Sequence, residues 1–223
     1  NSRVMEAIEE CLTHSLANLP KFNGKVMSLC DNRGSAWGTT TSSMGTMHIA
    51  EIANLTGVLT GKRAAEGYLG IFGDRLETQD VRRKTSVFDD VQKASKAGRR
   101  IGGGTEHGIW LFWDQAIRQK QHWDHVFVYS DMQAGHGGLY GSGGYKNYVW
   151  SGKGGCAYID VPKLIRDYRA KVNPNVMVYL VQVAGYQDTI VPEHYDRTFI
   201  LGGWGDGILR FAERMNEFSQ PSQ

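Results

Sequence analysis

One stretch of the chain decides the fold: Lys25-Val-Met-Ser-Leu-Cys-Asp-Asn-Arg-Gly-Ser35. Its first six residues are mostly apolar and lie between a glycine and a polar turn, which is typical of a short strand buried on both faces. A second apolar stretch, His125–Ser130, also runs directly into an aspartate, Asp131. Two buried strands that each end at a carboxylate, Asp31 in the first case, are the pattern from which the fold is predicted.

Helices and strands alternate along the rest of the chain. Apolar residues recur at helical spacing over residues 4–19, 44–60 and 86–97, and after Thr105, Asp160 and Asp206. Short apolar runs predict further strands at residues 68–72, 175–183 and 198–201. Such alternation favours a mostly parallel sheet with helices on both faces, so we predict an α/β, Rossmann-like fold.

The composition excludes several classes of protein. The 223 residues carry a formal net charge of +2, which is too small for the total alone to indicate a nucleic-acid-binding protein. No apolar run approaches the roughly 20 residues of a membrane span, so no membrane partner is expected. Three separated cysteines (Cys11, Cys30 and Cys156) argue against a disulfide framework and a cysteine zinc site, and favour a cytoplasmic protein.

The two strand-terminal aspartates are expected to face one crevice. In an open parallel sheet, ligands bind beyond the carboxyl ends of the strands, where Asp31 and Asp131 would lie. The loop before Thr105 can add a hydroxyl to the same crevice, and oxygen ligands with few carboxylates suit Mg²⁺. The alternative is that both aspartates are only turn or cap residues.

Three loops of the chain resemble the metal-ion-dependent adhesion site of von Willebrand factor A domains. That family has Asp-x-Ser-x-Ser, then a Thr, then an Asp, and this chain has Asp31-x-Arg33-x-Ser35, Gly103-Gly104-Thr105 and Tyr129-Ser130-Asp131. The helix before the first strand and the Glu106 after Gly-Gly-Thr are most similar to the A domain of Ro/TROVE family proteins.

The resemblance implies a single A-like domain over residues 1–223, with an N-terminal helix at 1–20 and an insertion at 135–155. It implies a six-stranded sheet in the order 3-2-1-4-5-6, with one antiparallel edge strand. It also implies that the domain is part of a longer protein, because an RNA-binding ring of helical repeats precedes the A domain in Ro/TROVE proteins.

The resemblance also implies a set of site residues. The predicted metal ligands are Asp31, Ser35, Thr105 and Asp131. Arg33 stands where the family has a serine ligand, and a guanidinium group only donates hydrogen bonds, so the site is degenerate. Mg²⁺ or another divalent cation is therefore expected to bind weakly or not at all. Arg33, Asn32 and Glu106 are predicted to contact the ligand.

The glycine-rich insertion is the second candidate site. Residues 132–159 contain no acidic residue, and aromatic residues there are interleaved with lysines. The candidate residues are Tyr145, Lys146, Tyr148, Trp150 and Lys153. They can stack on and neutralise single-stranded nucleic acid, or they can pack back on the domain.

Two functions are weighed from these residues. The resemblance implies a non-enzymatic interaction domain whose partner, a protein or an anionic ligand, binds at the top of the sheet, within a parent protein that binds small non-coding RNA. The alternative is a small α/β enzyme for a phosphorylated or acyl substrate, with Asp31, Asp131 and His136 in the crevice. A deep apolar pocket would indicate the enzyme, whereas a shallow open site would indicate the interaction domain.

Overall fold

A computed structural model describes residues 2–38, 46–103, 108–131, 149–151, 157–183, 196–203 and 205–219. The helices are α1 (Ser2–Ala17), α2 (Gly34–Gly38), α3 (Ile49–Arg63), α4 (Val87–Gly98), α5 (Gly108–Arg118), α6 (Val161–Lys171) and α7 (Gly207–Ser219). The strands are β1 (Phe22–Asp31), β2 (Ala64–Phe72), β3 (Leu76–Val81), β4 (His125–Ser130), β5 (Val149–Ser151), β6 (Ala157–Ile159), β7 (Met177–Gln182) and β8 (Thr198–Gly202).

Within the described residues, six strands form one sheet in the order β3-β2-β1-β4-β7-β8. All neighbouring strands are parallel except β2 and β3, so β3 is an antiparallel edge strand. The predicted fold class, strand order and antiparallel edge are therefore confirmed. A separate antiparallel pair, β5 with β6, begins inside the predicted insertion.

Alternate residues of the central strands face two hydrophobic cores, as the period of two in a strand requires. On one face, Cys30 of β1 and Tyr129 of β4 pack with residues of α3, α4 and α7. On the other face, Leu29 and Val128 pack with α5 and α6. Burial on both faces explains why these strands are continuous apolar runs in the sequence.

Helix ends agree with the sequence in part. The Ser86 hydroxyl accepts a hydrogen bond from the Asp89 amide at the start of α4, and the Asp160 carboxylate caps α6 through the Lys163 amide. The prediction of a helix from residue 44 to 60 is wrong at both ends, since α3 runs from Ile49 to Arg63. Among the described residues, no helix is both long and apolar enough to cross a bilayer.

The first residue of β4, His125, makes unfolding sensitive to acid. It is 1% exposed and packs against the rings of Phe22 and Tyr179. Burial lowers its pKa from 6.5 to about 4, despite the opposing effect of Asp124. As the pH falls, the His125 side chain takes up a proton in the unfolded chain before it does so in the folded chain. The free energy of unfolding therefore decreases as the pH falls from about 6.5 to about 4.

We therefore expect His125→Phe to flatten this part of the pH–stability profile. Up to about 3 kcal/mol of acid destabilisation should disappear between pH 6.5 and 4, measured by urea unfolding. The exposed His122→Phe is the control and should leave the profile unchanged. An acid limb that is equally steep in His125→Phe would contradict the prediction.

Candidate functional site

The site lies at the carboxyl ends of the two central strands. Cys30 of β1 pairs with Tyr129 of β4, so Asp31 lies beside Ser130, one residue before Asp131. Both aspartates are buried, at 0% and 1% exposure. The structure therefore brings together the two carboxylates that the sequence predicted to share one crevice.

Arg33 lies between these two carboxylates. Its Nε donates to Oδ1 of Asp31 at 2.8 Å, and its Nη2 donates to Oδ2 of the same carboxylate at 2.6 Å. Nη2 also donates to Oδ1 of Asp131. The guanidinium group thus forms a bidentate ion pair with Asp31 and links this carboxylate to Asp131. Arg33 itself is only 1% exposed.

Hydroxyl and amide groups complete the cluster. Ser130 Oγ donates to Oδ2 of Asp31 at 2.7 Å, and Ser35 Oγ lies 3.3 Å from Oδ2 of Asp131 as a donor. The backbone amide of Arg33 donates to Oδ1 of Asp31 at 3.1 Å. This hydrogen bond fixes the turn after β1 that brings the Arg33 side chain back to the end of that strand. Ser35 is therefore oriented as a donor to a carboxylate.

The charges in the cluster favour a permanently cationic Arg33. Burial alone lowers the pKa of Arg33, but attraction and hydrogen bonds from Asp31 and Asp131 outweigh it, and the pKa is raised. Two close carboxylates need a positive neighbour if both are to be ionised, and the guanidinium group provides it. In this arrangement the guanidinium group fills the space between the oxygens in which a divalent cation would have to lie.

The loop after β1 is fixed by residues behind it. The Asn32 side chain donates to the carbonyl of Cys30 and to Oδ1 of Asn54, and Asn54 Nδ2 donates back to Asn32 at 3.0 Å. A Cβ atom at Gly98 would clash with the Asn32 amide group, so glycine lets the end of α4 lie this close to Asn32. Asn32, predicted to contact the ligand, is buried and contacts α3.

Some predicted residues cannot be placed. The following lie outside the described residues: Thr105, Glu106, His136, Tyr145, Lys146, Tyr148 and Lys153. Trp150 belongs to β5, where its backbone pairs with Tyr158. Within the described ranges, no group of three or more His, Cys, Asp or Glu residues suited to holding a metal ion is found.

Sequence reasoning missed two members of the site. Ser130 follows from the strand register, since a residue aligned with Asp31 on the neighbouring strand must lie close to it. Asn54 has a weaker signal, a polar residue within the apolar run of α3, and its 0% exposure shows why it needs a polar partner.

With this geometry established, comparison with known proteins identifies the fold. The chain is similar in fold to a Ro protein. A crystal structure of the Deinococcus radiodurans Ro (RSR) protein matches 95% of this chain with a TM-score of 0.65, at 16% sequence identity. This chain spans 38% of the length of that Ro chain. No protein-family model and no curated protein matches the sequence.

The match with the Ro protein confirms the predicted resemblance at the level of the fold. The sheet order and the helices around it are those expected of a Ro-like A domain. At this identity the match concerns architecture, and the role of the Arg33 cluster has to be argued from its own chemistry.

A cavity of about 740 Å³ opens at the amino ends of the strands, on the opposite end of the sheet from the Arg33 cluster. It is lined by residues at the starts of β1, β4 and β7, including Asn23, His125 and Met177. Neither Asp31 nor Asp131 lines it. This cavity therefore lends no support to an enzyme that uses those two carboxylates.

Proposed function

We propose that the chain is a non-enzymatic interaction domain of a Ro/TROVE-like RNA-binding protein. In this proposal a partner binds at the carboxyl ends of the strands, and no metal ion takes part in the contact. The observation that carries the proposal is the contact of Arg33 with both Asp31 and Asp131. In the adhesion sites that these loops resemble, a divalent cation holds this position and receives an acidic group of the partner.

An internal cation changes how such a site works. The guanidinium group neutralises the carboxylates at all times, so the loop after β1 and Asp131 at the end of β4 are held in place whether or not divalent ions are present. Arg33 is buried and both its Nε and Nη2 are engaged, so it acts on the partner through the position of the loop after β1. The more exposed Gly34 and Ser35 follow it directly, as the first two residues of α2.

The partner in this proposal is a protein or an anionic ligand at the top of the sheet. The parent protein binds RNA and is cytoplasmic, both by the resemblance to Ro/TROVE proteins. Any divalent cation binds weakly or is absent, because Arg33 already occupies the position between the carboxylates.

Removing divalent ions tests this proposal through thermal unfolding. A cation at 100 times its Kd would stabilise the folded state by about 2.7 kcal/mol, which shifts the Tm by roughly 5–10 °C for a chain of this length. We expect the Tm to be the same in EDTA and in excess MgCl₂ or MnCl₂, with NaCl at matched ionic strength as the control. A metal-dependent shift of that size would contradict the proposal.

A further inference from the structure

Five basic residues lie on α4 and on the two segments next to the Arg33 cluster, with the acidic residues Asp74, Glu77 and Asp89 among them. Arg75 lies in the turn between β2 and β3, Lys93 and Lys96 lie on α4, and Arg99 and Arg100 follow the end of α4. All five side chains are exposed. This set of five residues is called the basic rim below.

The basic rim is joined to the site through the backbone. The Gly34 amide, directly after Arg33, donates to the carbonyl of Gly103 at 3.1 Å. The Asn32 amide donates to the carbonyl of Phe72, just before the turn that carries Arg75. The loop after β1 is therefore hydrogen-bonded to the segments on either side of it that carry or follow the arginines of the rim.

The guanidinium group of Arg99 lies over an aromatic ring. Its guanidinium carbon lies 4.1 Å from the centroid of the Trp37 ring, which is a cation–π contact. Trp37 packs on the core below, so the stacked pair is supported from behind. An exposed guanidinium plane stacked in this way can accept a nucleobase on its outer face and still donate from its edges.

The other cations extend this surface. Lys93 and Lys96 lie three residues apart on α4, and Arg100 follows four residues later, just beyond the end of the helix, so the three cations extend over about 10 Å. Arg75 donates to the carbonyl of Arg100 at 3.1 Å, which keeps the two arginines together. The nearby carboxylate of Glu77 pairs with Arg100, whose side chain remains 69% exposed.

We infer that the basic rim binds single-stranded nucleic acid, with the cations on its phosphates and a base on the Arg99–Trp37 pair. This inference rests on the proposed function, because it names the partner that binds at the carboxyl ends of the strands. The row of cations is too long for a single carboxylate to contact all of them, so it suits a polyanion. The Arg99–Trp37 pair offers a planar group on which a nucleobase can stack. An acidic peptide would use the charges but not the stacked surface.

Fluorescence anisotropy tests the inference with a labelled, mixed-sequence RNA of about 12 nucleotides. The test variant is Arg75→Gln/Arg99→Gln/Arg100→Gln. The control variant, Arg118→Gln/Lys171→Gln/Arg210→Gln, removes the same charge from exposed ion pairs elsewhere. If the three rim arginines contact phosphates, the factor by which they raise the affinity for RNA should fall about 20-fold when the salt concentration rises from about 50 to about 200 mM.

We expect the test variant to bind at least about 10-fold more weakly at the lower salt concentration and to lose about two units of the salt slope, whereas the control variant keeps both. Arg99→Lys keeps the charge but loses the plane, and it should bind several-fold more weakly than the natural chain. Equal binding by the natural chain and the test variant would overturn the inference.

Two further outcomes would overturn the assignment of the ligand. One is an acidic peptide of similar length that binds the rim more tightly than the RNA. The other is equal weakening of RNA binding in the test and control variants. The Tm measurement in EDTA and MgCl₂ is independent of these results, so a metal-free site without RNA binding would remove this inference and leave the proposed function standing.

Discussion

Replacing Arg33 with methionine should lower the free energy of unfolding by about 3–5 kcal/mol. The substitution keeps an apolar stem of similar length but leaves Asp31 and Asp131 buried side by side without their cation. Removing one partner of a buried ion pair has this large effect because the remaining charge keeps its desolvation penalty. Urea unfolding at neutral pH, with the m value checked for constancy, measures the loss.

Two variants control for this result. Arg33→Met/Asp131→Asn removes one of the unpaired carboxylates and should recover a substantial part of the lost stability. Arg118→Met breaks an exposed ion pair with Asp114 and should cost about 0.5 kcal/mol or less. A loss below about 1 kcal/mol for Arg33→Met would show that the arginine is not the counter-ion of the site.

The second large effect is expected at Lys62, near the end of α3. Its buried ammonium group donates to Oδ2 of Asp90 at 2.8 Å and to the carbonyl oxygens of Arg82 and Thr85 at 2.9 and 2.6 Å. This ammonium group therefore joins α3 to α4 and to the loop before α4. We expect Lys62→Met to lower the free energy of unfolding by about 3–5 kcal/mol, because Asp90 loses its charged partner in the interior.

A matched control is available on α4 itself. Lys93→Met removes the same charge from an exposed position and should change stability by no more than about 0.5 kcal/mol. If Lys62→Met and Lys93→Met unfold at the same urea concentration, the buried ion pair contributes nothing specific to the fold.

The central part of the fold could be predicted because its signal is local. The strand β1 and the strand β4 are apolar runs that end at carboxylates, and both were located from the sequence. The sequence pattern does not predict β3, because Leu76-Glu-Thr-Gln-Asp-Val81 lies at the sheet edge and is mostly polar. Its existence followed only from the six-stranded sheet that the family resemblance implied.

The site could be predicted to the level of position but not of contact. The spacing from Asp31 to Arg33 places both on one loop, and β1 and β4 bring Asp131 beside them. The pairing of Asn32 with Asn54 could not be predicted, since it depends on how α3 is rotated against the sheet and on the absence of a side chain at Gly98.

Calorimetric titration of Mg²⁺ into the natural chain and into Arg33→Ser tests the central claim most directly. The variant recreates the Asp-x-Ser-x-Ser pattern of metal-binding relatives, removes the internal cation and leaves the two carboxylates available. We expect weak or undetectable binding by the natural chain, and binding by Arg33→Ser that is at least about 10-fold tighter, a difference of about 1.4 kcal/mol. If the natural chain binds Mg²⁺ as tightly as Arg33→Ser does, Arg33 does not replace the metal ion and the account is wrong.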